Sequence, residues 1–368
     1  MPDKTINYVD SAAKLADLCE QLASADALAL DTEFTREKTY YAHLGLIQIA
    51  SHDIVACIDP LVVTELQPLL QLLQAPHITK IIHSARQDLE VIWQNYQIMP
   101  QPLFDTQVAA SLLGIHEQIS YAALVEQLLQ VSLDKAHTRT DWCQRPLSPA
   151  QINYAADDVR YLIALYPILR DRLNAKQRLH WLEQEGQSLC HSERYQVKFN
   201  LLWQQVSGQQ RLNPAQLAIL RALSAWREQR AQRLNRPRQW IVRDEVLIDL
   251  CMMPLTTLSD LQASTNFPAS LIDSAGDELI TLINEARALP ADAWPIPSSR
   301  DTFNAEQKKL VTTLSNRVRE LADSQGICAT LIAPRKELER LVCGNRDSPL
   351  FQGWRKEIVG QQLAALLP

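Results

Sequence analysis

Apolar positions follow two regimes along this chain. Up to about residue 205, short apolar runs alternate with helical spacing. The runs at 27–33, 45–50, 54–59, 80–83 and 103–105 read as strands. Only Ser51-His52-Asp53 separates the second run from the third, so these two should form an antiparallel hairpin. Helical patterns separate the later runs, which requires parallel crossovers. A mixed sheet flanked by helices follows. Ser148-Pro149 places a capping serine before a proline at the first helical position. The helix it opens runs through Ile152, Val159, Leu162 and Ile163.

Beyond residue 205 the spacing is helical only, as in Leu217, Leu220, Leu223 and Trp226. A proline-rich stretch at 289–299 reads as a linker, and helical patterns then resume. The two helical halves match at a constant offset of 91 residues: Asn213 with Asn304, Gln216 with Gln307, Leu223 with Leu314, Ala231 with Ala322, Leu247 with Leu338, and Leu250 with Leu341. The expected organisation is an α/β domain over 1–205, a helical domain over 206–289, a linker over 290–300, and a second helical domain over 301–368.

Composition narrows the setting. The 368 residues carry a net charge of −6, which argues against broad electrostatic attraction to nucleic acid but not against a local basic groove. The seven cysteines are scattered and form no CxxC pair, so neither a disulfide framework nor a zinc site is indicated. The first residues lack a leader's apolar centre, and no apolar run is long enough to span a membrane. The expectation is a cytoplasmic monomer.

Candidate chemistry lies in three acidic segments. Asp31 and Glu33 end the first strand, and residues two apart on a strand share a face. Like charges that close repel unless a cation neutralises them. Asp88 opens an amphipathic segment with Leu89, Ile92 and Trp93 on its apolar side. Tyr154 and Asp158 are four apart and share a helix face, whereas Asp157 is turned away toward solvent. Oxygen ligands without Cys or His favour Mg²⁺ or Mn²⁺ over zinc. Carboxylates converging from strand ends and helices suit two-metal phosphoryl chemistry. His83 reads as a packed histidine at a strand end.

These segments resemble the three motifs of the DEDD exonucleases: Asp31 and Glu33, then Asp88, then Tyr154 with Asp158. The tyrosine places the resemblance in the tyrosine-type branch, since the histidine branch would need His where Asn153 stands. The flanks DTEFTREKTYYAHLGLIQIA, FDTQVAA and TDWCQRPLSPAQINYAADDVRYL are similar to ribonuclease D. The resemblance implies a ribonuclease H-like exonuclease domain followed by two all-α HRDC-type domains. It also implies 3′-to-5′ trimming of structured RNA, tRNA precursors above all, with two divalent ions held by Asp31, Glu33, Asp88 and Asp158. Tyr154 would orient the attacking water or help deprotonate it.

Other substrate candidates rest on weaker signals. Lys135, Arg139, Trp142 and Arg145 precede the catalytic helix and are candidates to hold the 3′-terminal phosphates. Phe34, Tyr40 and Tyr41 divide evenly between packing and stacking on bases. Arg221, Arg227, Arg230, Arg233, Arg236, Arg238 and Arg243 surround Trp240, a cluster suited to RNA as well as to a solvated helix face. Two rival functions stay open on the sequence alone: a DNA exonuclease of the same fold, and an RNA-binding scaffold without catalysis.

Overall fold

The computed structural model describes residues 5–134, 140–263, 267–296 and 303–367. They fall into two compact units. One comprises Met1–Thr35, Ala42–Tyr195 and Phe303–Pro368; the other comprises Arg36–Tyr41 and Gln196–Thr302.

The first unit is built on a six-stranded sheet in the order β1-β4-β3-β2-β5-β6. Its strands are β1 Ile6–Val9, β2 Ala27–Thr35, β3 His43–Ala50, β4 Val55–Ile58, β5 Thr79–Ile82 and β6 Leu103–Asp105. β3 and β4 form the expected antiparallel hairpin, and β5 lies parallel to both β2 and β6. β1 escapes the apolar pattern because it is short and only Val9 in it is buried. Helices α1 Ala12–Leu22, α2 Gln67–Gln74 and α3 Arg86–Tyr96 cover one face; α4 Thr106–Leu112, α5 Tyr121–Leu129, α6 Pro149–Ala175 and α7 Leu179–Leu189 contribute to the cluster on the other. Alternation on the strands divides the core accordingly. Leu28, Leu30, Ile47 and Ile49 face one cluster, whereas Ala29, Leu46, Ala50 and Cys57 face the cluster that contains Val159 and Leu162 of α6.

α6 starts where the sequence says it should. Ser148 accepts from the Gln151 amide, and the Ser148 amide donates in turn to the Gln151 side chain, a complete capping box.

The second unit is helical: α8 Pro214–Leu234, α9 Arg238–Ile241, α10 Asp244–Met252, α11 Leu258–Ala263 and α12 Ala269–Arg287. Its expected linker is not loose over its described part. Residues Ala291–Ala293 form a helical turn, and Arg221 donates to the Ala293 carbonyl.

The 91-residue offset is structural. α13 Ala305–Gln325, α14 Ala329–Ile332 and α15 Arg335–Val342 begin 91 residues after α8, α9 and α10. Asn213 and Asn304 both make capping boxes, and Asn235 and Gly326 both close their helices in the left-handed conformation.

The expectation that the repeat at 301–368 stands apart as its own module needs correction. Leu314, Val318, Leu338, Leu341 and Trp354 share one apolar cluster with α4, α6 and α7. Gly114 and Gly326 meet so closely that a Cβ on Gly114 would lie 2.6 Å from the Gly326 oxygen. Buried Arg178 donates to the Leu112, Gln325 and Gly326 carbonyls, joining two helix C-termini. Trp354 stacks on Trp181 at 5.1 Å and donates to Glu185.

Candidate active site

The bottom of the site is β2, whose face toward α6 carries Ala29, Asp31 and Glu33 in turn. α6 crosses that face and brings Asp158 over it. Asp31, Glu33 and Asp158 each offer an oxygen, and these atoms lie within 4.8 Å of one another. Tyr154 stands one helical turn before Asp158.

Asp88 enters from α3 and lies outside that trio. It is buried, and the Thr32 hydroxyl donates to it at 2.5 Å. Its position depends on Asp105. That carboxylate accepts from the amides of Ser84 and Ala85, just before α3, and from Gln107 and Val108 at the start of α4. One side chain thus fixes two helix starts. The capping pattern Asp105-Thr106-Gln107 was the available sequence signal.

Electrostatically the site is a pocket of crowded carboxylates. Burial, then the neighbouring carboxylates, push Glu33 up to about 8. Burial and Asp157 push Asp158 up to about 7, and burial pushes Asp88 up to about 6. Asp31 is raised well above the carboxylate range by burial and by Asp88, Asp158 and Glu33. Crowded hard oxygens of this kind fit a divalent cation, whose charge would relieve the repulsion. Tyr154 is raised too, through burial and then Asp158, Glu33 and Asp31.

The remaining sequence candidates divide. Trp142 is 2% exposed and stacks on Tyr154, with ring centroids 6.1 Å apart, so it packs the site rather than stacking on a base. Arg145 is spent on the fold. Nε and Nη2 grip Asp59 at 2.6 and 2.7 Å, and its other donors reach the carbonyls of Gly45, Trp142 and Gln144. All five guanidinium hydrogens are thereby used, which leaves none for a phosphate. Phe34 packs against the cluster on the α3 side of the sheet. Lys135 and Arg139 lie outside the described residues. Asp157 is not simply solvated, since Arg160 pairs with it at 2.5 Å. His83 is packed as expected, between Thr106 and the Ile119 carbonyl.

Tyr40 belongs to the helical unit. Its hydroxyl donates to Glu228 and accepts from Gln232, and Arg238 lies over its ring at 5.5 Å. The arginine cluster also splits. Arg227 is buried against Asp244 at 2.7 Å, and Arg238 grips Glu228, so both are structural. Arg230 sits over Trp226 at 5.5 Å. Arg233, Arg236 and Arg243 are exposed, and Trp240 is 60% exposed. Arg236, Trp240 and Arg243 border an open pocket of about 740 Å³ that Phe267 and Leu271 also line.

Comparison with known proteins follows the same division. Residues 6–174 match the family described as 3′-5′ exonuclease, and residues 216–283 match the HRDC domain. The chain is 37% identical over 356 residues to ribonuclease D of Granulibacter bethesdensis, covering 96% of this chain and 90% of that one. It is 36% identical over 364 residues to ribonuclease D of Pseudomonas paraeruginosa, covering 97% and 96%. The crystal structure of Escherichia coli RNase D, an exoribonuclease involved in structured RNA processing, superposes with a TM-score of 0.90 at 32% identity, covering 98% of each chain.

Proposed function

Since the chain belongs to the ribonuclease D family and is a 3′-5′ exoribonuclease, we propose that it trims the 3′ ends of structured RNA, tRNA precursors foremost, releasing nucleoside 5′-monophosphates. The rival readings as a DNA exonuclease or a silent scaffold fall with that membership. The observation that carries the reading is the convergence of Asp31, Glu33 and Asp158 within 4.8 Å, one helical turn from Tyr154.

In this reading Asp31, Glu33 and Asp158 would hold one Mg²⁺ or Mn²⁺, and Asp31 and Asp88 would serve a second. Such ions, when bound, supply the positive charge that an in-line displacement at phosphorus requires. The protein's own groups do the rest. Thr32 fixes the Asp88 carboxylate by donating to it. Tyr154, one helical turn before Asp158, orients the attacking water or helps deprotonate it. Arg233, Arg236, Arg243 and Trp240 offer RNA a second surface, with guanidinium forks for phosphate and an indole for stacking. No described helix is long and apolar enough to cross a membrane. We assign the enzyme to the cytoplasm as a monomer, consistent with seven cysteines that are all free.

The test is turnover on tRNA bearing extra 3′ nucleotides, with Mg²⁺ and with a chelator. Stepwise 3′ shortening to 5′-monophosphates only with Mg²⁺ is expected. Equal rates on single-stranded DNA, or full activity in chelator, would overturn the assignment.

A further inference from the structure

From Asp31 a polar row runs across the sheet, and its other members have no part in the chemistry above. Asp31 on β2 faces Gln48 on β3, Gln48 faces Cys57 on β4, and Cys57 faces Tyr8 on β1. All four side chains point to the α6 side, because their strand neighbours Leu30, Ile47, Ile49, Ala56, Ile58 and Val9 fill the opposite cluster. Directly opposed residues have Cβ atoms roughly 5 Å apart, so the Gln48 carboxamide and the Asp31 carboxylate share one small space.

Gln48 is fully buried, yet neither its Nε2 nor its Oε1 has a hydrogen-bond partner among the described residues. Arg160 of α6 is the complementary case. Its Nη1 holds Asp157, while Nε and Nη2 are buried without an acceptor among the described residues. The Cys57 thiol lies within electrostatic reach of both Arg160 and Asp158, which places the arginine over the same row. A buried carboxamide with no bonds weakens a fold, and an apolar side chain would serve packing better there. Donor and acceptor nevertheless match: the guanidinium lacks an acceptor that Oε1 provides, and Nε2 lacks an acceptor that the Asp31 carboxylate provides.

We propose that Gln48 is a positioning residue for the metal site, its Nε2 donating to the Asp31 carboxylate and its Oε1 accepting from Arg160, each through one bridging water. The chain Asp157–Arg160–Gln48–Asp31 then ties the flank of α6 to the ligand on β2. Partners of this kind orient a coordinating carboxylate, and their removal typically weakens metal affinity by about 10- to 100-fold. The inference rests on Asp31 being a ligand.

The experiment measures Mn²⁺ binding by calorimetry, without RNA, for wild type, Gln48→Leu, Arg160→Met and the double variant, together with the melting temperature of each metal-free protein. Gln48→Leu should weaken Mn²⁺ binding about tenfold or more, while its metal-free melting temperature stays level or rises. The double variant should bind no more weakly than Gln48→Leu alone, because the arginine acts through the glutamine. Arg160→Met, on a helix flank, should weaken binding less, and it decides the matter if Gln48→Leu does not fold. Mn²⁺ affinity within twofold of wild type in both single variants, with a lowered melting temperature, would make the row purely structural and overturn the proposal. Absence of Mn²⁺ binding by wild type would instead overturn the ligand assignment, and the proposal with it.

Discussion

The indole of Trp142 lies over the phenol of Tyr154, ring centroids 6.1 Å apart and planes 30° apart. The two rings divide the labour: Trp142 is buried, while Tyr154 is partly buried beside the carboxylates. Tyr154→Phe keeps this stack and removes only the hydroxyl, so turnover should fall severely with unchanged metal affinity and melting temperature. Trp142→Ala should instead cost about 3–5 kcal/mol of stability, as large aromatic truncations in cores do. Denaturant titration beside single-turnover kinetics separates the two effects.

The acidic site should make metal-free stability depend on pH with a definite sign. Glu33 and Asp158 are raised to about 8 and about 7, against unfolded values near ~4. The folded state therefore holds these protons more tightly. Their contribution favours folding at low pH and is lost as pH rises from about 4 to about 8. Melting temperature should fall across that window faster for wild type than for Asp158→Asn. Mn²⁺ should raise it more at pH 8 than at pH 5, because binding must displace fewer protons there. Asp158→Asn should also abolish hydrolysis. A wild-type melting profile no steeper than the variant's would contradict the repulsion argument.

Arg145 predicts a stability defect rather than a substrate defect. Asp59 is 1% exposed, so removing its partner strands a buried carboxylate. Arg145→Met should cost about 3–5 kcal/mol and leave the KM for a short oligonucleotide unchanged at a temperature where the variant is folded. A raised KM with wild-type stability would return Arg145 to the phosphate site.

Ending the chain at residue 302 should destroy the exonuclease unit. The deletion removes Leu314, Leu338, Leu341 and Trp354 from the shared core and strands Arg178 without two of its acceptors. Each large apolar side chain laid bare forfeits about 1.5–3 kcal/mol, against a typical total stability of about 5–15 kcal/mol. The truncated protein should bind a hydrophobic dye and lack a cooperative melt. A sharp melt at the wild-type temperature would show that 303–368 is dispensable.

In the helical unit, Trp240→Ala and Arg236→Ala should weaken tRNA binding more than binding of a short oligonucleotide. Removing one arginine–phosphate pairing should flatten the log–log salt dependence on single strands by about 0.7. Arg227→Met should lower stability instead, since Arg227 is buried on Asp244. Titrations at several salt concentrations distinguish RNA-binding residues from packing residues.

The sequence determined what is local. Short apolar runs marked out β2, β3, β4, β5 and β6, the capping Ser148 before Pro149 set the start of α6, and the spacing of Tyr154 and Asp158 set their shared face. The 91-residue offset already implied two copies of one helical pattern, because caps and apolar spacing are set by neighbours in the chain. Tertiary structure decided what each polar side chain is free to do. Arg145, Arg227 and Tyr40 look in sequence like substrate-binding residues, but their donors or rings are taken by Asp59, Asp244, Glu228 and Arg238, which come from elsewhere in the chain. The same holds for residues 303–368. Their apolar stripe is legible in the sequence, but its partner surface is not. A helix face specifies how much apolar area must be covered, and only the fold fixes that α4, α6 and α7 cover it.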